Sequence, residues 1–161
     1  MIARLASIAA LAILAACCVP NDGAAQTRAA SPKDVAAIRG CAERFAENVT
    51  EGERQCLFAL VADPCSKSRQ SGAGPTECYR IEQGIWDELL NDNFRTLREQ
   101  LDDDQKEKLR DMQRAWIAYR NSTCEFYYHK IQGSMATSLT AACLARETAR
   151  RALLLKFFQG L

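Results

Sequence analysis

Few side chains in this sequence are of types that do chemistry, and their spacing decides what that chemistry is. Among 161 residues, eight cysteines and a single histidine are the unusual counts. Cys41, Cys56, Cys65, Cys78, Cys124 and Cys143 are never spaced as Cys-x-x-Cys, which argues against a thioredoxin-type redox pair and a zinc ribbon. In a small exported domain such cysteines form structural disulfides. Cys124 and Cys143 flank Gly133-Ser134, so an antiparallel helix pair turning there would bring them together. Cys65 and Cys78 would close a Gly/Ser-rich loop, which leaves Cys41 with Cys56. His129 stands alone, so a histidine metal cluster is excluded, and no serine lies in Gly-x-Ser-x-Gly. Asp102, Asp103 and Asp104 are consecutive and point to different faces, so they make a poor carboxylate pair and a good helix start. No catalytic, cofactor-binding or metal-ligating residue is assigned, and no enzyme is expected.

The most specific stripe is Gln113, Trp116, Arg120 and Cys124, three and four residues apart and therefore on one face of a helix. It offers a large ring, two polar neighbours one turn to either side, and a covalent tether.

The elements that must position this stripe follow from periodicity. Arg4, the apolar run Leu5 to Val19 and the small residues after it read as an export signal, too short for a comfortable membrane span. Leu14-Ala15-Ala16-Cys17 fits a bacterial lipobox, in which Cys17 becomes the lipidated first residue, and this is the preferred reading. Ordinary cleavage after Ala25 is the alternative and leaves an even six cysteines. Residues 1–25 are then signal and the start of a linker, 26–31 linker, and 32–161 a single helical domain. Net charge is +1, so no overall field attracts nucleic acid, and membrane contact is expected only through the lipid anchor.

Ser31-Pro32 caps a first helix that carries Val35, Ile38, Ala42 and Phe45 to about Asn48. Thr50 opens a shorter helix with Cys56, Leu57, Leu60 and Val61, which Asp63-Pro64 stops. Ser66 to Pro75 is a loop by composition. Thr76 caps a long third helix through Ile85, Trp86, Leu89, Leu90 and Leu101. Asp102-Asp103-Asp104 turns into a fourth helix that reaches His129, and a fifth runs from about Thr137 to Phe158. No stretch alternates like a strand. The fold class is all-α: a small disulfide-stapled antiparallel bundle, three long helices preceded by a shorter helical hairpin.

Cys78, Trp86-Asp87-x-x-Leu90-Asn91, Gln113-Arg114-Ala115-Trp116-Ile117-x-Tyr119-Arg120, Cys124, Gly133-Ser134, Cys143 and Thr148-x-x-Arg151, in this order, resemble the LprI-like lysozyme inhibitor family over roughly residues 76–158. The chain departs from the family's usual pattern at Phe94, Asn121 and Gln132. The resemblance implies an exported helical protein, often a lipoprotein, that binds lysozyme and does not cleave it.

Of the family-motif residues Trp86, Asp87, Asn91, Gln113, Trp116, Arg120, Thr148 and Arg151, the six polar ones are expected to form an inter-helix network that fixes helix register, with Asp87 as the counter-ion of Arg120, and direct contact with the partner is the alternative. A cationic partner such as lysozyme favours acidic surface, and the densest stretch of it is Glu99, Asp102, Asp103, Asp104 and Glu107. Two functions follow: an envelope protein that inhibits lysozyme, or a structural adaptor lipoprotein that docks on another envelope protein.

Overall fold

The structure, a computed structural model, describes residues 30–69 and 74–161. The export signal, Cys17 and most of the expected linker lie outside the described residues. Six helices follow in order: α1 Pro32–Arg44, α2 Val49–Cys56, α3 Ala62–Ser68, α4 Gly74–Glu99, α5 Asp103–Lys130 and α6 Ser134–Phe158. The described part is all-α and stapled by three disulfides, Cys41–Cys56, Cys65–Cys78 and Cys124–Cys143.

Side-chain caps set the starts of three of the helices. The Ser31 hydroxyl accepts the Asp34 N–H, Asp34 answers to the Ser31 N–H, and Pro32 fills the first helical position, where no N–H is needed. At α5 Asp102 and Gln105 cap each other in the same way.

The N-terminal third departs from the expected boundaries. The first helix ends at Arg44, because Asn48 turns out to be the cap of α2, its side-chain oxygen taking the Glu51 N–H at 3.0 Å in place of Thr50. Gly52 lies inside α2 for a packing reason: a Cβ there would meet Leu153 Cδ2 at 3.1 Å and Phe45 Cβ at 3.3 Å. Asp63-Pro64 does not stop a helix. Both sit in the first turn of α3, where proline's missing N–H costs nothing. Leu57, Leu60 and Val61 therefore lie between helices. Thr76, expected as a cap, is buried within α4, which starts at Gly74, and α6 starts at Ser134.

Helix α6 is the centre of the fold. Ala145, Ala149 and Ala152 are fully buried, and such small side chains let neighbouring backbones approach closely. Leu153 and Leu155 extend the same core. Two tight turns make α4 and α6 parallel, and Ile85, Trp86, Leu89, Leu90 and Leu97 of α4 fill the space between them. Asn93 ties the pair together, donating to the Ala152 carbonyl at 2.9 Å and accepting from Gln159 at 3.1 Å on its own carbonyl. On the other side, α1 to α3 close the core with Ile38, Ala42 and Val61. Ion pairs Arg39–Asp92, Arg150–Glu53 and Lys156–Glu43 cross the rim. Such partly exposed pairs contribute up to about 1 kcal/mol each.

Helix α5 is the outlier. Over its 28 residues only Leu109 and Cys124 are buried. It packs chiefly on α6, and most of its surface faces away from the protein.

Candidate functional site

The Gln113–Trp116–Arg120–Cys124 stripe is the face that α5 turns toward α6. Cys124 is bonded to Cys143, and Thr140 Oγ1 donates to the Cys124 carbonyl at 3.3 Å, which fixes the register of the two helices. One to three turns back along α5 and one to two turns further along α6, the stripe meets Thr148 and Arg151. Arg151 Nε donates to Gln113 Oε1 at 2.8 Å. Arg120 Nη1 reaches Thr148 Oγ1 at 3.4 Å, and that hydroxyl donates in turn to the Leu144 carbonyl at 2.7 Å. The Arg120 Cζ lies 4.8 Å from the centre of the Trp116 ring and the Arg151 Cζ 5.7 Å from it. Two guanidiniums thus share one indole, the strongest of the aromatic cation receptors.

The charge of this cluster is not balanced. Arg120 has Asn121 Oδ1 as its remaining partner, bonded from Nε and Nη2 at 3.2 and 3.1 Å. Neither Arg120 nor Arg151 is in an ion pair among the described residues. Arg151 is 5% exposed, and its buried Nη2 has no hydrogen-bond partner among the described residues. Burial alone pushes its pKa below the ordinary arginine value. A buried cation without a counter-ion is costly, and neutral acceptors and a ring face only partly offset that cost.

The expected Arg120–Asp87 pair does not form. Asp87 is exposed on α4 and accepts from Asn91 at 3.3 Å. The physical reason is the position of α5, which lies over α6 and leaves this face of α4 to solvent. Five of the eight motif residues are brought together, namely Gln113, Trp116, Arg120, Thr148 and Arg151. Asp87 and Asn91 stay apart from them, and Trp86 is a core residue.

A second polar site was missed by sequence reasoning. Glu82 is 0% exposed, and its carboxylate accepts the Phe58 N–H and the Ala62 N–H, both at 2.8 Å, together with Trp86 Nε1–H at 3.1 Å. Phe58 has a positive φ of 64°, uncommon for a bulky residue, and its ring packs edge-on to Tyr79. Glu82 therefore holds the sharp bend between α2 and α3. Burial raises its pKa above the ordinary carboxylate value, against the pull of the three N–H donors. The signal was available: Glu82 lies four residues before Trp86, on the apolar stripe of α4.

The acidic stretch lies at the turn from α4 to α5. Asp102 is spent on the cap and Asp103 pairs with Lys106 at 3.1 Å, while Glu99, Asp104 and Glu107 are exposed. Arg98, Lys106 and Lys108 interleave with them. Beside this turn Leu97, Leu101, Leu109, Met112 and Phe158 line an open apolar groove of about 430 Å³.

No group of three or more metal-ligating side chains comes together among the described residues, and no helix there is long and apolar enough to cross a membrane. A protein-family model described as lysozyme inhibitor LprI matches residues 65–155, which takes in the whole of the α5–α6 cluster. No curated protein and no solved structure matches the chain.

Proposed function

Because the chain belongs to the lysozyme inhibitor LprI family, we propose that it is an exported cell-envelope protein that inhibits lysozyme by direct, non-catalytic binding. The observation that carries this reading is the family match, which spans more than half of the chain and includes the polar cluster between α5 and α6. Export is supported by the apolar N-terminal run and by the disulfides, which persist in oxidising compartments. Lipidation at Cys17 is the anchor the N-terminal sequence favours, and it predicts that Cys17→Ser releases the protein from the membrane fraction. A mature N-terminus at Gln26, read by mass spectrometry, overturns the anchor.

The acidic turn complements a cationic enzyme at long range. Charges at the rim of an interface act mainly on the rate of encounter. The test of the function is a cell-wall turbidity assay, in which the purified protein slows lysis by lysozyme in a saturable way. No slowing at high molar excess overturns the inhibitor reading and leaves the adaptor reading in its place.

A further inference from the structure

We propose that Arg120, backed by Arg151 across the Trp116 ring, is a receptor for a carboxylate of the partner, and that this carboxylate lies in the acidic substrate cleft of lysozyme. The inference rests on the inhibitor reading above and assigns its surface.

The first observation is the missing counter-ion. A guanidinium presents five N–H donors in a planar fork suited to a carboxylate. Arg120 spends three of its contacts on neutral oxygens, two of them on the side chain of its own neighbour Asn121 and one, at 3.4 Å, on Thr148. These are weak partners that a carboxylate replaces with shorter, charge-assisted bonds. Arg151 is the independent second observation. It is 95% buried by its 5% exposure, aimed at the same ring, and its Nη2 is unsatisfied. Its Nε is occupied by Gln113, so it is held in place as a fixed positive charge behind the half-buried Arg120.

The surroundings are those of a contact surface. Ile117, Asn121 and Tyr128 fall on one side of α5 by helical spacing, next to Arg120, and Ile117 and Tyr128 are 41% and 48% exposed. A charged fork beside exposed Tyr and aliphatic surface is the composition of an interface hot spot. Disulfide Cys124–Cys143 lies one turn beyond Arg120 and holds the helix rigid there. Such preorganisation lowers the entropy lost on binding.

The partner's chemistry follows from the charge. Two cations without an anion seek a clustered negative charge, and glycoside hydrolases hold two carboxyl groups on either side of the scissile bond. In lysozyme one of these stays ionised while the other is kept protonated by its apolar pocket. An arginine laid on the ionised group both blocks the substrate and pairs a charge already positioned for catalysis.

The experiment measures binding of a purified c-type lysozyme to the wild-type protein by calorimetry, in three forms: free, saturated with a chito-oligosaccharide, and with its two cleft carboxylates changed to amides. The proposal expects wild-type protein to bind free lysozyme, to compete with the saccharide, and to lose roughly 30-fold or more in affinity for the amide form. Arg120→Gln, and the exposed Ile117→Asp, are expected to show losses of the same order against free lysozyme. Undiminished binding to saccharide-filled or amide lysozyme overturns the proposal while leaving inhibition intact, and so does a folded Arg120→Gln that binds like wild type. Absence of any binding by the wild-type protein overturns the inhibitor reading itself. The saccharide and amide arms use the wild-type chain, so they stand even if a variant misfolds.

Discussion

The buried carboxylate of Glu82 accepts the backbone N–H of Ala62 at 2.8 Å, reaching across 20 residues of sequence to the first residue of α3. With the Phe58 N–H and Trp86 Nε1–H on its other oxygen, it satisfies three donors, of which the Ala62 and Trp86 groups are buried. Glu82→Gln keeps the shape but turns an NH₂ toward at least one of those N–H groups. An unsatisfied buried donor costs about 1–3 kcal/mol, so thermal unfolding should shift down by several degrees. An unchanged melting temperature contradicts this role.

The same residue sets a pH dependence. Folding raises the Glu82 pKa above its ordinary 4.5, so the folded protein holds that proton more tightly than the unfolded chain. Its contribution to stability is fully present below pH 4.5 and is lost as the pH rises through the folded value. The difference in stability between wild type and Glu82→Gln should therefore vary with pH across this window, with the wild type losing relative stability as the pH rises. Parallel stability–pH curves for the two proteins would be inconsistent with it.

Arg151 is expected to separate stability from binding. Replacing a buried, unpaired charge with an apolar side chain of similar length is often neutral or stabilising. Arg151→Met should keep or raise the melting temperature and weaken lysozyme binding, because the positive field behind Arg120 is gone. A clear fall in melting temperature would show that the Gln113 bond and the Trp116 contact matter more to the fold than the burial costs.

The bridge between α5 and α6 is predicted to hold the outer half of α5. Converting Cys124 and Cys143 to Ala together should cost about 2–4 kcal/mol. Hydrogen exchange should quicken over residues 117–133 and stay slow in α4, whose contacts lie elsewhere. Uniform acceleration through the whole protein would argue against this local role.

The acidic turn is predicted to act on encounter alone. Asp104→Asn with Glu107→Gln should lower the association rate at low salt and leave the dissociation rate unchanged. A faster dissociation rate would move the docking surface from Arg120 to the turn.

Periodicity in the sequence was enough for the all-α class, because Val35, Ile38, Ala42 and Phe45 or Ile85, Trp86, Leu89 and Leu90 repeat at helical spacing. Spacing also placed Gln113, Trp116 and Arg120 on one face. Only Cys124, on the same stripe and matched with Cys143, pointed that face at the last helix. Asp87 looked like the counter-ion because α4 is the preceding long helix, yet α6 is the one that α5 covers. The N-terminal boundaries failed where long-range contacts overrode local signals: Gly52 answers to Leu153, and the start of α3 answers to Glu82. Neither partner is near in sequence. The exposed Ile117 and Tyr128 were hidden for a different reason, since an apolar residue on a helix reads as core until the packing is known.

The three disulfides close the intervals 41–56, 65–78 and 124–143, which neither overlap nor nest. Along residues 30–161 the described cysteines pair in chain order, first with second, third with fourth and fifth with sixth. A polypeptide entering an oxidising compartment N-terminus first presents its thiols in that same order. Where cleavage after Ala25 removes Cys17 and Cys18, a donor that oxidises neighbouring thiols as they emerge makes the native bonds directly, and no isomerase is required to exchange partners. Maturation of this chain should then proceed at full yield in cells that have an oxidase but lack disulfide reshuffling.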